Sequence, residues 1–265
     1  MRVMYTGASG RMAGSIRETL EGEFDAVRLF ARSEPARLLA GEEVVLGDLT
    51  DPDAVRRACE AVDVIVHFGG IADESSFSEI LSVNIEGTYN LFEAARQAGV
   101  RRVVFASSNH VTGFYPSDTV IGVDAPPRPD SYYGVSKVFG EALGRLYHDK
   151  WGLEVVSLRI GIFRPVPTDV RQLALWLSPR DGAELVRCAV TAPDIGYLTV
   201  LGVSANARSY WDDGESARLL GFRPQDDAES YADAVGEGQQ PRFQGGQYAD
   251  PDYRGGSWVP RRDRS

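Results

Sequence analysis

The sequence predicts an α/β fold: a doubly wound parallel sheet with a small C-terminal region that covers a substrate. Three observations predict it. Short apolar runs alternate with helical stretches through the first 160 residues, the pattern of strands buried on both faces between crossover helices. The first run ends in a glycine turn, Gly7-Ala-Ser-Gly10-Arg-Met-Ala13-Gly14, which opens a helix. The 265 residues, 43% hydrophobic and 25% charged, have the composition of a globular chain rather than a disordered or fibrous one.

In order, the apolar runs place strands at Arg2 to Thr6, Asp25 to Phe30, Glu43 to Leu46, Val62 to Phe68, Arg102 to Ala106 and Glu154 to Ile160. Helices fall between them at about 11–20, 51–60, 78–98 and 131–151. Over 78–98, Leu81, Ile85, Tyr89, Phe92 and Ala95 recur every three or four residues, which predicts one apolar core-facing side, and Gly99 marks the stop. After Gly161 the alternation is lost. A proline-rich loop (Arg164-Pro-Val-Pro), a helix near 180–191, a short strand near Leu198 to Leu201 and a helix near 213–220 follow, too little for a second large domain. The expected organisation is one unit over 1–235, with substrate elements mainly in 161–235, and a loop-rich tail over 236–265. That tail reads as loop or partly disordered, with Phe243, Tyr248, Tyr253 and Trp258 available to tie it down.

Composition removes several function classes. Thirty-eight acids against 28 bases give a net charge of −10, which repels phosphate backbones, so no nucleic-acid partner is expected. No run approaches the roughly 18 apolar residues of a membrane span. Met1 leads straight into the first strand with no room for a signal peptide, so the expected location is the cytoplasm. Cys59 and Cys188 are far apart and outside any metal-ligand spacing; they read as buried thiols, with neither a disulfide nor a metal site expected.

Chemistry gathers at the predicted strand ends. The glycine turn, spaced G-x-x-G-x-x-A, presents backbone amides and a helix dipole to a pyrophosphate, in the strand-to-helix context that such a motif requires. At the end of the second strand, Phe30-Ala31-Arg32-Ser33 offers no acid for a ribose, while Arg32, Ser33 and Arg11 offer partners to a 2′-phosphate. Asp25 lies at the other end of that strand. The expected cofactor is therefore NAD(P), with NADP slightly favoured over NAD. Asp48 either approaches the adenine or caps the next helix. Gly69 and Gly70, after His67-Phe68, admit a ligand close to the backbone, and His67 reads as a satisfied core histidine.

Ser107-Ser108 and Tyr133-Gly-Val-Ser-Lys137 form the decisive constellation. Tyr133 and Lys137, four apart, share a helix face. An ammonium beside a phenol favours the phenolate, which predicts a lowered Tyr133 pKa and a usable general base, while Ser108 orients a substrate oxygen. The chain has two Lys among 28 basic residues, so a lysine here runs against strong arginine usage. Asn109 and His110 either bind a polyol or brace their loop. Arg164 and Arg171 lie where a substrate would be covered, and either grips an anion or is solvated.

Taken together, these motifs resemble the extended short-chain dehydrogenase/reductase family over nearly the whole chain, which implies a Rossmann-type sheet. Within it, Phe105-Ala-Ser-Ser-Asn-His110, Tyr133-Gly-Val-Ser-Lys137, Arg159-Ile-Gly161 and Arg242-Phe-Gln-Gly-Gly246 are similar to the uronate dehydrogenases. The resemblance implies NAD-linked oxidation of C1 of galacturonate or glucuronate to an aldarolactone, a sugar partner and a homo-oligomer. It gives Ser108, Tyr133 and Lys137 the catalytic roles and Asn109, His110 and Arg171 the sugar, with Arg171 on its carboxylate. It puts Gly7, Ser9, Gly10, Arg11 and Met12, then Asp48 and Leu49, then Phe68, Gly69 and Gly70, and finally Asn84, Ser107 and Ile160 beside the cofactor. This chain departs from the pattern: the NAD-selecting acid is absent, and two substrate-contacting hydroxyl residues are replaced by Ala72 and Ile162, with Arg164 nearby. Alternatives are a glucose 6-phosphate or neutral hexose dehydrogenase, a nucleotide-sugar epimerase or dehydratase, and a non-catalytic NADP sensor.

Overall fold

The computed structural model describes residues 1–212 and 214–255. The elements run β1 (Arg2–Thr6), α1 (Arg11–Thr19), β2 (Ala26–Ala31), β3 (Glu42–Leu46), α2 (Pro52–Cys59), β4 (Val64–His67) and α3 (Phe77–Glu79). A π-helical segment, Ile80–Glu86, continues into α4 (Gly87–Ala98), followed by β5 (Arg102–Ser108), a 3-10 turn (Asn109–Thr112) and β6 (Ile121–Gly122). Then come α5 (Tyr132–Trp151), β7 (Glu154–Ile160), β8 (Ile162–Phe163), α6 (Gln172–Leu175), β9 (Trp176–Leu177) and α7 (Pro179–Thr191). The order closes with β10 (Tyr197–Gly202), β11 (Trp211–Asp212), α8 (Gly214–Leu220), α9 (Ala232–Val235) and a 3-10 turn at Gly246–Ala249.

Seven strands form a parallel sheet in the order β10-β7-β5-β4-β1-β2-β3. The chain starts at β1, moves outward through β2 and β3, and crosses back by α2 to β4 on the other side of β1. That reversal opens a crevice at the carboxyl ends of β1 and β4, where open α/β sheets bind ligands. Successive residues of each strand serve opposite cores, as the two-residue repeat dictates. Val3, Tyr5, Val66 and Leu158 pack with Ile16 of α1 and Leu185 of α7. Met4, Ile65, Val103 and Phe105 pack with Val55 of α2 and Phe92 of α4 on the other face.

The short strand expected near 198–201 is β10, paired with β7 in the main sheet, and α7 packs against α1. The helix over 77–98 contains a π segment and departs in part from the expected apolar side: Phe92 and Ala95 are buried as expected, Ile85 is half-buried, but Leu81 and Tyr89 are exposed, while Ile80, Asn84, Gly87, Thr88 and Leu91 also face inward. Polar and small residues hide that inner side from a hydrophobicity reading. Gly87 is there because a Cβ would stand 2.9 Å from that of Leu49. The tail is tied down as well. Residues 113–117 and 241–245 run side by side through backbone bonds such as Gln244 to Tyr115 and Gly245 to Gly113, both 2.8 Å; Trp258 lies outside the described residues.

Both cysteines are buried free thiols. Among the described residues no helix is long and apolar enough to cross a membrane.

Candidate active site

A cleft of about 890 Å³ lies along the carboxyl edge of the sheet, bordered by the loops after β1, β2, β3, β4, β5 and β7. Its floor is backbone. Gly7 has φ +64°, and a Cβ on it would lie 2.8 Å from the Gly69 Cα, so the two glycine loops can meet only without side chains. Thr6 fixes their junction: its hydroxyl accepts from the Gly69 amide at 3.0 Å and pairs with Nδ1 of His67 at 2.7 Å. His67 is thus a satisfied core histidine, held neutral by burial with its pKa pushed down to about 3. Gly10 caps α1 without a side-chain hydrogen bond, which leaves first-turn amides to an anionic ligand.

The candidate catalytic constellation assembles where β5 meets α5. Ser107 donates to Glu141 at 2.6 Å, and Glu141 is gripped by both arms of Arg159 at 2.9 Å, so the end of β5 is bolted to α5 and β7. Ser108 accepts from the His110 amide at 3.2 Å and stands near Tyr133. Lys137 donates to the Ala106 carbonyl at 2.8 Å and stands 5.5 Å from the Tyr133 ring. The first turn of α5 is fixed twice. Ser131 accepts from the Gly134 amide at 3.0 Å, and the buried Glu74 carboxylate accepts from the amides of Tyr132 and Tyr133 at 3.2 and 2.9 Å.

The expected lowering of the Tyr133 pKa is not what these surroundings produce. Burial disfavours the charged form of each group, pushing the phenol up to about 12 and the Lys137 ammonium down to about 8. Ser108 opposes the rise on Tyr133, whereas Asp73 and Asp130 add to it.

Beyond the constellation, several buried polar atoms have no hydrogen-bond partner among the described residues: Asn109 Nδ2, Arg171 Nη2 and the Tyr210 hydroxyl among them. Arg171 is nevertheless held in place, its Nε donating to the Gln244 carbonyl at 2.7 Å. His110 is paired through Nδ1 with Asp130 at 2.8 Å, and burial depresses its pKa.

A strand-turn-helix glycine cradle at a sheet switch point thus stands opposite a Ser-Tyr-Lys cluster. The family model described as the NAD dependent epimerase/dehydratase family covers residues 3–162. The chain belongs to that family. This epimerase/dehydratase-family chain is 42% identical to the uronate dehydrogenase of Pseudomonas putida, over 94% of this chain and 95% of the relative. It is 38% identical to an L-arabinose 1-dehydrogenase (NAD(P)(+)) of Haloferax volcanii, over 86% of this chain and 97% of that protein. A solved mutant of the uronate dehydrogenase from Agrobacterium tumefaciens, complexed with NAD, superposes with a TM-score of 0.90 at 40% identity, covering 96% of this chain and 98% of that one.

In this family member the cleft brings together most of the residues singled out in the sequence. Gly7, Ser9, Gly10, Arg11 and Met12 line it from the first loop, Arg32 after β2, Asp48 and Leu49 after β3, and Phe68, Gly69 and Gly70 after β4. Ser107, Ser108, Tyr133, Lys137 and Ile160 form its other end with Ala72 and Arg164. Asp48 does not cap α2; its carboxylate accepts from Thr50, and Asp51 is the cap. Six residues stand off the cleft wall. Ser33 is exposed beyond β2, and Asn84 spends its amide on the Ile71 backbone and Ser136. Ile162 lies in β8 against β9, Asn109 is buried just after Ser108, and His110 and Arg171 contact the tail at Tyr248 and Gln244. Sequence reasoning missed Glu74, Asp73 and Asp130, each of which acts through a tertiary contact and carries no local pattern; Gln244 stood within the Arg242-to-Gly246 motif but without a role of its own.

Proposed function

We propose that this chain oxidises C1 of a free uronate, galacturonate or glucuronate, to the aldarolactone, with Tyr133 as general base. The observation that carries the reading is Arg171, a cation positioned by a backbone carbonyl, whose buried Nη2 makes no hydrogen bond of standard geometry among the described residues and has the Tyr210 hydroxyl as a neighbour, which suits a carboxylate. Asn109, next to Ser108 in the chain, offers a buried amide donor with no partner among the described residues.

The cleft fits a dinucleotide. The glycine floor admits close backbone approach, the α1 amides suit the pyrophosphate, and Lys137 stands at the far end by Tyr133. Bound there, NAD(P) supplies the hydride acceptor. Ser108 orients the anomeric hydroxyl, Tyr133 takes its proton as the C1 hydrogen leaves with its electron pair, and C1 gains the carbonyl bond of the lactone. Lys137, mostly charged at neutral pH by its position near 8, favours the phenolate in that step. Arg171 holds the carboxylate, with Asn109 and His110 on the sugar hydroxyls. Arg32 in the cleft wall, with no acid at the end of β2, favours NADP at least as well as NAD. Self-association is part of the same proposal, by family resemblance.

Arg164 favours a second reading, a sugar phosphate, because it lines the cleft where a phosphate would find a cation. Free uronates, neutral hexoses and hexose phosphates, each supplied with NAD and with NADP, separate the readings by reduced-nicotinamide absorbance. Fastest turnover of a uronate is expected; faster turnover of a hexose or its phosphate overturns the uronate reading.

A further inference from the structure

The tail reaches the sugar side of the site through contacts at Gln244, Gly245, Gly246, Tyr248 and Tyr253. Gly245 stands where a Cβ would collide with the Asp130 carboxylate, the group that holds His110. Gly246, at φ +61°, leaves room for the Arg171 side chain, whose Cδ would lie 2.9 Å from a Cβ there. The carbonyl of Gln244 holds Arg171, and Gln244 is itself buried, its amide donating to the Thr119 carbonyl at 2.8 Å and its oxygen accepting from the Trp211 indole at 3.1 Å. Tyr248 stacks on the His110 ring with centroids 3.7 Å apart, and the other neighbour of that imidazole is Tyr133, edge-on at 5.8 Å. The Tyr248 hydroxyl donates to Asp73 at 2.5 Å, and Tyr253 donates to the same oxygen at 2.9 Å.

We propose that Tyr248 is a positioning residue for the sugar. Clasped to Asp73, its ring holds His110 between itself and Tyr133, so that the segment from Gln244 to Tyr253 completes the sugar side of the site but not the cofactor side. The physical reason lies in how His110 is held. Its Nδ1 bond to Asp130 fixes the imidazole at one point, and a ring fixed at one point can still swing about its side-chain bonds. Stacking on Tyr248 removes that freedom, with an aromatic pair of ordinary strength. No tail residue from 241 to 255 lines the cofactor cleft, so the effect falls on sugar binding and leaves the dinucleotide alone.

The inference rests on the dehydrogenase reading above, and the experiment keeps the two apart. Tyr248→Leu and Tyr248→Phe are made in the full chain and assayed on whichever sugar the unaltered protein turns over. KM and kcat for the sugar are measured separately, and the Kd of reduced nicotinamide is taken by fluorescence titration. Tyr248→Leu is expected to raise the sugar KM by about tenfold or more, since small misplacements of positioning groups carry costs of that order, with the nicotinamide Kd unchanged. Tyr248→Phe keeps the stack and is expected to restore most of the KM. An unchanged KM in Tyr248→Leu, or a KM that rises equally in both variants, overturns the positioning role. A folding defect in Tyr248→Leu is recognised by loss of nicotinamide binding, and in that event Tyr248→Met, which keeps bulk without an aromatic face, decides against Tyr248→Phe: a sugar KM raised above that of Tyr248→Phe supports the proposal, and a KM no higher than that of Tyr248→Phe sinks it. Failure of the unaltered protein to oxidise any sugar overturns the parent reading instead.

Discussion

Glu74 accepts the backbone amide of Tyr133 at 2.9 Å and that of Tyr132 at 3.2 Å. A buried carboxylate from the loop after β4 thereby caps the helix that carries the proposed general base, a placement that suits a helix N-terminus. Glu74→Ala leaves two first-turn amides unpaired and is expected to lower stability by about 1 to 2 kcal/mol. Because one of those amides belongs to Tyr133, kcat should fall as well, with cofactor affinity nearly intact. Chemical denaturation and steady-state kinetics on the same preparation check this; a stability loss with unchanged kcat would show that the cap holds the helix without placing the tyrosine.

The acid–base pair predicts a pH profile. With the phenol pushed up to about 12, Tyr133 is protonated at neutral pH, and the phenolate fraction grows about tenfold per pH unit below that value. Oxidation should therefore accelerate as pH rises toward 8. Lys137, lowered to about 8, is charged below that pH and neutral above it, so its help is lost on the alkaline side and the rise should bend there. A kcat/KM profile that is flat from about pH 6 to 8 contradicts the base assignment.

Tyr133→Phe deletes the phenolic oxygen while keeping the ring that meets His110 edge-on. Turnover should vanish while nicotinamide binding, measured by fluorescence, stays close to that of the parent. Substantial residual oxidation would remove Tyr133 from the proton path.

Arg171→Leu tests substrate charge. With its Nη2 buried and making no hydrogen bond of standard geometry among the described residues, the guanidinium is expected to contribute about 2 to 3 kcal/mol to a uronate carboxylate, the range of a charge-assisted hydrogen bond. The loss should appear in kcat/KM for uronates and spare neutral sugars. Equal losses on both would mean that Arg171 supports the fold of the tail rather than the carboxylate.

Arg32→Ala tests cofactor choice. Arg32 lines the cleft just past β2, where a 2′-phosphate would meet it, so the variant should weaken NADP while leaving NAD nearly unchanged. Parallel loss of both, by titration of each cofactor, would place Arg32 away from the 2′-phosphate.

The sequence by itself determined the alternation of strands and helices, the glycine turn and the Ser108-Tyr133-Lys137 set, because each is written within a few residues: a two-residue or 3.6-residue repeat, a turn that only glycine fits, a one-turn helical spacing. The tertiary structure alone decided the rest. Asp73 meets Tyr248 across 175 residues of chain, Glu74 meets Tyr133 across 59, and nothing in the local pattern of either segment marks its partner. The inner side of the helix over 77–98 was legible at Phe92 and Ala95 but not nearer its start, for a related reason: Asn84, Gly87 and Thr88 are buried by their fit against Leu49, Ile71 and His67 rather than by hydrophobicity. The Tyr133 pKa makes the same point in energies. A neighbouring lysine can be read from spacing, but the burial that outweighs it belongs to the packed molecule, since desolvation depends on everything that surrounds the phenol.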